Sequence, residues 1–425
     1  MTLIQGWSII SSFLLLLLTI KTLKFKSSID SLKDVRVRLP ANQNWPKISF
    51  IVPACNEGET IRTAAKSLLE IDYPNLEVVM VNDRSIDDTG KIMDQLASED
   101  RRLKVIHIKE LPKGWLGKVH ALNKGIESTR GEWILLADAD IHFNVDAMKK
   151  AVTYCHEKSI DFLTAVPDIR SKSPVLQTLI AQLLHQASLF FHPQKLNDPK
   201  QRTCYGQGAF MLLRRVVYEK SEGMKWLRME AIDDTGLAVM MRRAGARMGA
   251  VSGKDEISLE WYPGVMAYIK GVEKNAFAFC QYNWFILLGM CVTNWLLVLG
   301  FTLAPAKSDC LGIQIFCVFS LASYLLAIRQ QMKKLIRLRF SQICFFPVAI
   351  MVMPLVFIRA AVLVALNKGI YWRGTFYSII ELKANQRMKL ANLIFSIDER
   401  DIVSKVTWPV PEDEIVFPQT GPFVC

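Results

Sequence analysis

Three acidic clusters punctuate this sequence of 425 residues, each at a point where a strand-like pattern ends. The first is Ala137-Asp138-Ala139-Asp140, directly after the apolar run Trp133 to Leu136. Two carboxylates two positions apart at a strand end can reach one divalent cation, or one cation and one ribose. Mg²⁺ and Mn²⁺ prefer such oxygen ligands and share their shell with substrate phosphates. Alone, an Asp-x-Asp pair is more often a solvated loop, and the apolar strand before it shifts the balance toward a ligand. The second cluster runs from Val81 to Thr89, where Asp83 closes a strand and can accept hydrogen bonds from a base or ribose. Asp87 and Asp88 suit the capping of the next helix better. The third cluster, Glu230 to Ala238, opens a helix that stops at Gly245. Its Asp233 and Asp234 either complement the helix dipole or supply a general base that takes the proton of an acceptor hydroxyl.

These acids need elements to hold them. Strand patterns at Ile48 to Val52, Leu76 to Val81, Leu103 to Ile108 and Trp133 to Ala137 alternate with helical patterns at Thr60 to Glu70, Asp87 to Leu96 and Lys118 to Ser128. Such alternation predicts an α/β domain over residues 47–263 with a mostly parallel sheet. Ligands bind beyond the carboxyl ends of strands in sheets of this kind, where the acidic clusters fall. Gly206-Gln207-Gly208 either lets the backbone approach a sugar closely or forms a turn before the strand Ala209 to Leu213. Trp115 fits a sugar-stacking position or the membrane interface. His185 and His192 have no convincing third ligand, which argues against zinc.

Composition narrows the setting. Lys and Arg number 52 against 40 Asp and Glu, a net charge of +12. No nucleic-acid module is recognisable, so anionic lipid headgroups account for the excess better than nucleic acid. The nine cysteines form no CxxC pair, indicating neither a disulfide framework nor a zinc site and fitting a cytosol-facing domain. Leu3 to Ile20 is long enough to span a bilayer and is followed by Lys21, Lys24 and Lys26, which predicts a membrane anchor over residues 1–26 with the catalytic domain in the cytoplasm. An interfacial helix linker is expected over 264–284 and a transmembrane region over 285–366, with apolar segments at Phe285 to Ala304, Leu311 to Ile328 and Ile343 to Leu366. The basic loop Arg329 to Arg339 should be cytoplasmic. Three crossings would put the basic tail, 367–425, outside. Pro347, Pro354 and Arg359 in the third segment favour a re-entrant or interfacial helix that returns the tail to the cytoplasm.

Taken in order, Val52-Pro53-Ala54-Cys55-Asn56-Glu57, Val81 to Thr89, Gly117-Lys118, Asp138-Ala139-Asp140 and Asp233-Asp234 resemble the motifs of the family 2 glycosyltransferases, inverting enzymes with a GT-A nucleotide-sugar-binding fold. The resemblance covers about Ile48 to Gly253. It implies that Pro53, Glu57 and Asp83 line the nucleobase and ribose pocket, that Lys118 lies near the donor phosphates, and that Asp138 faces the nucleotide or sugar. It also implies that Asp140 holds Mg²⁺ or Mn²⁺ and that Asp234 is the catalytic base. Asp233 stands where Glu is usual. Gln281-Tyr282-Asn283-Trp284 departs from the Gln-x-x-Arg-Trp motif of processive synthases, lacking the Arg. Gly114-Trp115-Leu116-Gly117-Lys118, Lys274-Asn275-Ala276-Phe277 and Trp372-Arg373-Gly374 look more like the hopanoid-associated and carotenoid glycosyltransferase branch. The expected activity is transfer of a sugar from a nucleotide-sugar donor, UDP by default, to a lipid or lipid-linked acceptor. A nucleotidyltransferase, a processive polysaccharide synthase and a non-catalytic scaffold that keeps the fold are the alternatives.

Overall fold

The structure is a computed structural model that describes residues 2–38, 44–198, 203–302 and 309–389. Ala304 and the tail from residue 390, with Cys425, lie outside the described residues.

The chain opens with helix α1 (Leu3–Ser28) and the short strand β1 (Asp30–Ser31). Strand and helix then alternate as the hydrophobic pattern predicts: β2 (Ile48–Ala54), α2 (Ile61–Leu69), β3 (Leu76–Asp83), α3 (Thr89–Glu99), β4 (Leu103–Ile108), α4 (Gly117–Glu127) and β5 (Trp133–Leu136). Every residue of β2 is buried, because helices cover both faces of a parallel strand at the centre of such a sheet. The domain continues with β6 (His142–Phe143), α5 (Ala147–Glu157), β7 (Phe162–Val166), β8 (Asp168–Ile169) and α6 (Pro174–Phe191). It closes with β9 (Met211–Arg214), α7 (Arg215–Tyr218), α8 (Asp233–Arg243), β10 (Met248–Ser252) and β11 (Ile257–Leu259).

Eight strands form one sheet in the order β1-β10-β7-β9-β5-β2-β3-β4. All neighbours are parallel except β9, which runs antiparallel between β5 and β7. The expected α/β architecture is therefore present, with one inserted strand of opposite sense. A second sheet, β6-β11-β8, lies beside the end of β5, just past the Asp138 loop. The helix over Asp233 to Arg243 starts and stops where the acids and Gly245 place it, Gly245 taking a left-handed φ of +86°.

Beyond the domain come α9 (Val265–Phe279), α10 (Trp284–Thr302), α11 (Leu311–Leu335), α12 (Phe340–Cys344) and α13 (Phe346–Leu366), then the hairpin β12 (Gly369–Trp372) and β13 (Thr375–Ser378), and α14 (Ile379–Ala384). Among the described residues α1, α10, α11 and α13 are long and apolar enough to cross a membrane. One expectation needs correction. Arg329 to Lys334 form the last turns of α11 rather than a loop, since Gln, Met and Lys all propagate helix and the lysines complement its C-terminal dipole.

The two ends of α13 both meet the α/β domain. Before it, Gln342 Nε2 donates to the Pro174 carbonyl at 3.2 Å, and Phe346 packs on His185 of α6 with ring centroids 5.8 Å apart. After it, the β12–β13 hairpin turns at Arg373 and Gly374, both with positive φ, and lies over the ends of β2 and β3.

Candidate active site

A cleft of about 490 Å³ opens at the carboxyl ends of β2, β3 and β5. Pro53, Glu57, Asp83, Lys118, Asp138, Asp140, Gln207, Gly208, Asp233 and Asp234 all line it. The acidic clusters, far apart in sequence, thus share one cavity. The first turn of α8 brings its two acids into the same cleft.

Lys118, in the first turn of α4, links two of the clusters: its Nζ lies 2.6 Å from Asp138 Oδ1 and 3.6 Å from Asp233 Oδ2. Those carboxylates outweigh burial and hold the Lys118 ammonium well above its usual range. Asp233 also faces Lys274 of α9 at 3.5 Å. Burial would raise the Asp233 pKa, but the two lysines win and keep it ionised below the usual carboxylate range. Its neighbour behaves differently. Asp234 Oδ2 accepts a hydrogen bond from Gly208 N at 3.3 Å and Oδ1 one from Thr235 N at 2.7 Å. Burial, with the adjacent Asp233 charge, pushes Asp234 up to about 6. A pair of carboxylates driven apart in this way gives one fixed anion and one group able to exchange a proton near neutrality.

Asp140 lies deeper than Asp138. Burial, followed by repulsion from Asp138 and Glu57, pushes its pKa to about 7, and its buried Oδ1 has no hydrogen-bond partner. An orphaned anionic oxygen beside a second carboxylate is what a divalent cation relieves, and the donors are all hard oxygens. No group of three or more His, Cys, Asp or Glu ligands occurs among the described residues. The orphaned Asp140 oxygen with Asp138 beside it fits a hard divalent cation.

Gly206 and Trp115 do not line the cleft. A Cβ on Gly206 would lie 2.0 Å from the Asp234 carbonyl oxygen, so this glycine lets the loop press against the start of α8 and supports Asp234 from behind. Trp115 packs edge-on against His120, with centroids 5.4 Å apart, because the adjoining Leu116 is fully buried and its N–H is held by the Arg228 carbonyl at 2.7 Å. Asp87, one residue before the N-cap of α3, accepts from Thr89 N at 3.0 Å and anchors the β2–α2 loop through Gly58 N at 2.9 Å, while the N-cap Asp88 makes no side-chain capping bond.

The sequence patterns gave no site role to several residues that close the cleft. Arg84 clamps both oxygens of Asp83 at 2.7 and 3.1 Å and reaches Thr375 of the hairpin at 3.0 Å. Arg373 donates to the Cys55 carbonyl at 2.6 Å and pairs with Glu57. Tyr377 accepts from Gly117 N at 3.2 Å. Lys274 Nζ sits 3.9 Å from the centroid of the Trp372 ring. Lys274 and Trp372-Arg373 were visible as short phrases, but nothing local says that the chain after α13 comes back to β2. Replacing Arg373 by Ala should detach the hairpin from Glu57 and leave Glu57 facing Asp140 uncompensated. We expect KM for the donor to rise about 10-fold, roughly 1.4 kcal/mol, with a smaller change in kcat, in steady-state assays.

Residues 49–221 match the model of Glycosyl transferase family 2. The poly-beta-1,6-N-acetyl-D-glucosamine synthase of Staphylococcus epidermidis is 30% identical over 150 residues, 35% of this chain and 34% of the synthase. Glycosyltransferase GlyG of Streptococcus pneumoniae is 32% identical over 114 residues, 27% of this chain and 36% of that protein. The chain thus spans about a third of the length of these relatives. The mannosyltransferase PcManGT from Pyrobaculum calidifontis, solved in complex with GDP-Man and Mn²⁺, superposes with a TM-score of 0.50 at 17% identity, over 86% of this chain and 99% of that one. That likeness is one of fold.

Proposed function

We propose that this chain, whose residues 49–221 match the model of Glycosyl transferase family 2, is a membrane-bound inverting glycosyltransferase that moves a sugar from a nucleotide-sugar donor to a lipid or lipid-linked acceptor. The observation that carries the reading is the convergence of Asp83, Asp138, Asp140 and Asp234 on one cleft with Lys118 between them. Asp83, held by Arg84, faces the nucleoside. Pro53 and Glu57 flank it, and Arg373 lies over them. The donor is a UDP-sugar.

Asp138 and Asp140 would hold Mg²⁺ or Mn²⁺, whose chemistry here is to neutralise charge on the donor diphosphate. Lys118 adds a fixed positive charge beside Asp138. Asp234 takes the proton from the acceptor hydroxyl as that oxygen bonds to the anomeric carbon. The bond from that carbon to the diphosphate oxygen breaks in the same displacement, and the electron pair leaves with the nucleoside diphosphate. A single displacement inverts the carbon and needs no covalent intermediate on the protein. Asp233, kept ionised by two lysines, positions Lys118 and Lys274.

The acceptor side supports a lipid. Leu363 and Val364 of α13, a helix of membrane length, line the same cleft as Asp234, with Trp261, Tyr262 and Trp372 beside them. A wall shared by the catalytic acids and an apolar helix suits an acceptor whose hydroxyl is polar and whose body is not. The phrases around Trp115, Lys274 and Trp372 favour an acceptor of the hopanoid or carotenoid kind. We place the catalytic domain in the cytoplasm, with α1, α10 and α11 crossing the bilayer. The helix α13 begins and ends against the catalytic domain, so it enters the bilayer without crossing, and the hairpin stays on the catalytic side.

The test is turnover of a UDP-sugar panel by purified protein in bacterial lipid extract with Mg²⁺ or Mn²⁺. One labelled lipid bearing one sugar is the expected product, identified by mass. The synthase named above favours a second reading, extension of a polysaccharide, which a ladder of products would establish instead. Absence of turnover and of nucleotide binding across the panel would leave the scaffold reading.

A further inference from the structure

Away from the catalytic cleft a second cavity, of about 430 Å³, lies where the end of α11, the segment leading to α12, the start of α6 and the β10–β11 loop meet. Its walls carry Arg170, Lys172, Lys254, Lys333, Arg337 and Arg339. Asp168 pairs with Arg170 at 3.0 Å and with Arg337 at 3.5 Å, and Asp255 pairs with Arg337 at 2.9 Å. Lys254 donates to the Lys333 carbonyl at 2.6 Å and feels the Asp255 and Asp168 charges, whereas Lys172, Lys333 and Arg339 have no carboxylate within ion-pair distance among the described residues. Three cations without a carboxylate partner around one concavity attract an anion.

Two further observations narrow the ligand. Gln177 in the cavity wall is buried, and its amide nitrogen donates to the carbonyls of Ile169 at 2.9 Å and Arg337 at 3.3 Å. Its Oε1 has no partner, so a ligand that also donates a hydrogen bond would satisfy it. The large apolar side chains of Val175 in α6 and Phe340 in α12, two helices that line the cavity, are exposed, as are those of Phe345 and Val348 just after α12. Bare phosphate gains nothing from such surroundings, whereas acyl chains do. Lys333 also ends a helix of membrane length, the depth at which headgroups lie.

We propose that this cavity binds the headgroup of an anionic glycerophospholipid, its phosphate among Lys172, Lys333 and Arg339 and a headgroup hydroxyl donating to Gln177. The site is separate from the catalytic cleft, so it stands or falls independently of the transferase reading.

The full chain in detergent micelles, titrated with dioctanoyl phosphatidylglycerol and followed by native mass spectrometry and Tm, provides the test. One bound lipid and a saturable rise in Tm are expected. Dioctanoyl phosphatidylcholine should give neither, and sn-glycerol 3-phosphate should bind at least about 10-fold more weakly. The combined variant Lys172→Gln, Lys333→Gln, Arg339→Gln should weaken phosphatidylglycerol binding by at least about 10-fold while its lipid-free Tm and its UDP binding stay unchanged. Lys172→Arg with Lys333→Arg should retain binding, which separates lost charge from lost fold. Equal binding by the triple variant, equal binding of phosphatidylcholine, or glycerol phosphate binding as tightly as the lipid would each overturn the proposal, the last by assigning the cavity to a soluble phosphate.

Discussion

Asp234→Asn should lower kcat by about 10²–10⁴-fold while leaving nucleotide binding nearly intact, because removing a positioned general base costs that much and the side chain keeps its size. The geometry supports the split between binding and chemistry. Asp234 accepts from the Gly208 and Thr235 N–H groups at the start of α8, whereas Asp83 and Glu57 are held by Arg84 and Arg373. Its pKa of about 6 sets the pH profile. A base works only when ionised, so kcat should fall as pH drops below 6 and level off above it. That limb should be absent from the residual activity of the Asn variant. A wild-type profile flat from pH 5 to 8 would assign the proton transfer to another group. The measurement is kcat against pH for both proteins, with donor affinity by calorimetry alongside.

Asp140→Asn should abolish the dependence of activity on divalent metal and reduce turnover by on the order of 10²-fold or more, since charge on the departing diphosphate would lose its main neutralising partner. Its effect on stability has the opposite sign. In the metal-free protein the Asp140 pKa is raised from 3.8 to about 7, so the folded state holds that proton more tightly than the unfolded chain. Ionisation therefore costs stability above pH 7, the cost shrinks as pH falls, and it is gone below 3.8. The Asn variant carries no such charge and should melt higher than metal-free wild type at pH 8, with the gap closing toward pH 5. Added Mn²⁺ should raise the Tm of wild type and leave the variant unmoved. A variant that melts lower than metal-free wild type at pH 8 would mean that Asp140 is stabilised by contacts other than a cation.

Much of the architecture was legible because local pattern and global fold agree. The β-rich runs at Ile48, Leu76, Leu103 and Trp133 became parallel strands, and the acids that follow them landed at the carboxyl ends, as sheet geometry requires. The boundaries of β9 were nearly right, but its antiparallel sense was not readable, since β5, β9 and β7 pair across long loops. Trp115 and Gly206 show the limit for individual residues. Their types suit sugar contact, yet Leu116 and the Asp234 carbonyl turn one into packing and the other into backbone clearance. Arg84, Arg373 and Tyr377 were unreadable for a different reason. Each joins the sheet domain to a hairpin whose return depends on how α13 lies, and no residue near Cys55 encodes that path.

The hairpin has a consequence for how this protein comes into being. Arg373 bonds to the carbonyl of Cys55, 318 positions earlier in the chain. A ribosome finishes β2 long before it has made α10, α11 and α13, so during synthesis the nucleoside end of the cleft stays open. It closes only when the last long apolar helix has been made and the hairpin has folded back. If the proposed function holds, completion of the donor site is tied to completed membrane insertion, and a nascent or wrongly inserted chain would have no finished place to hold its donor.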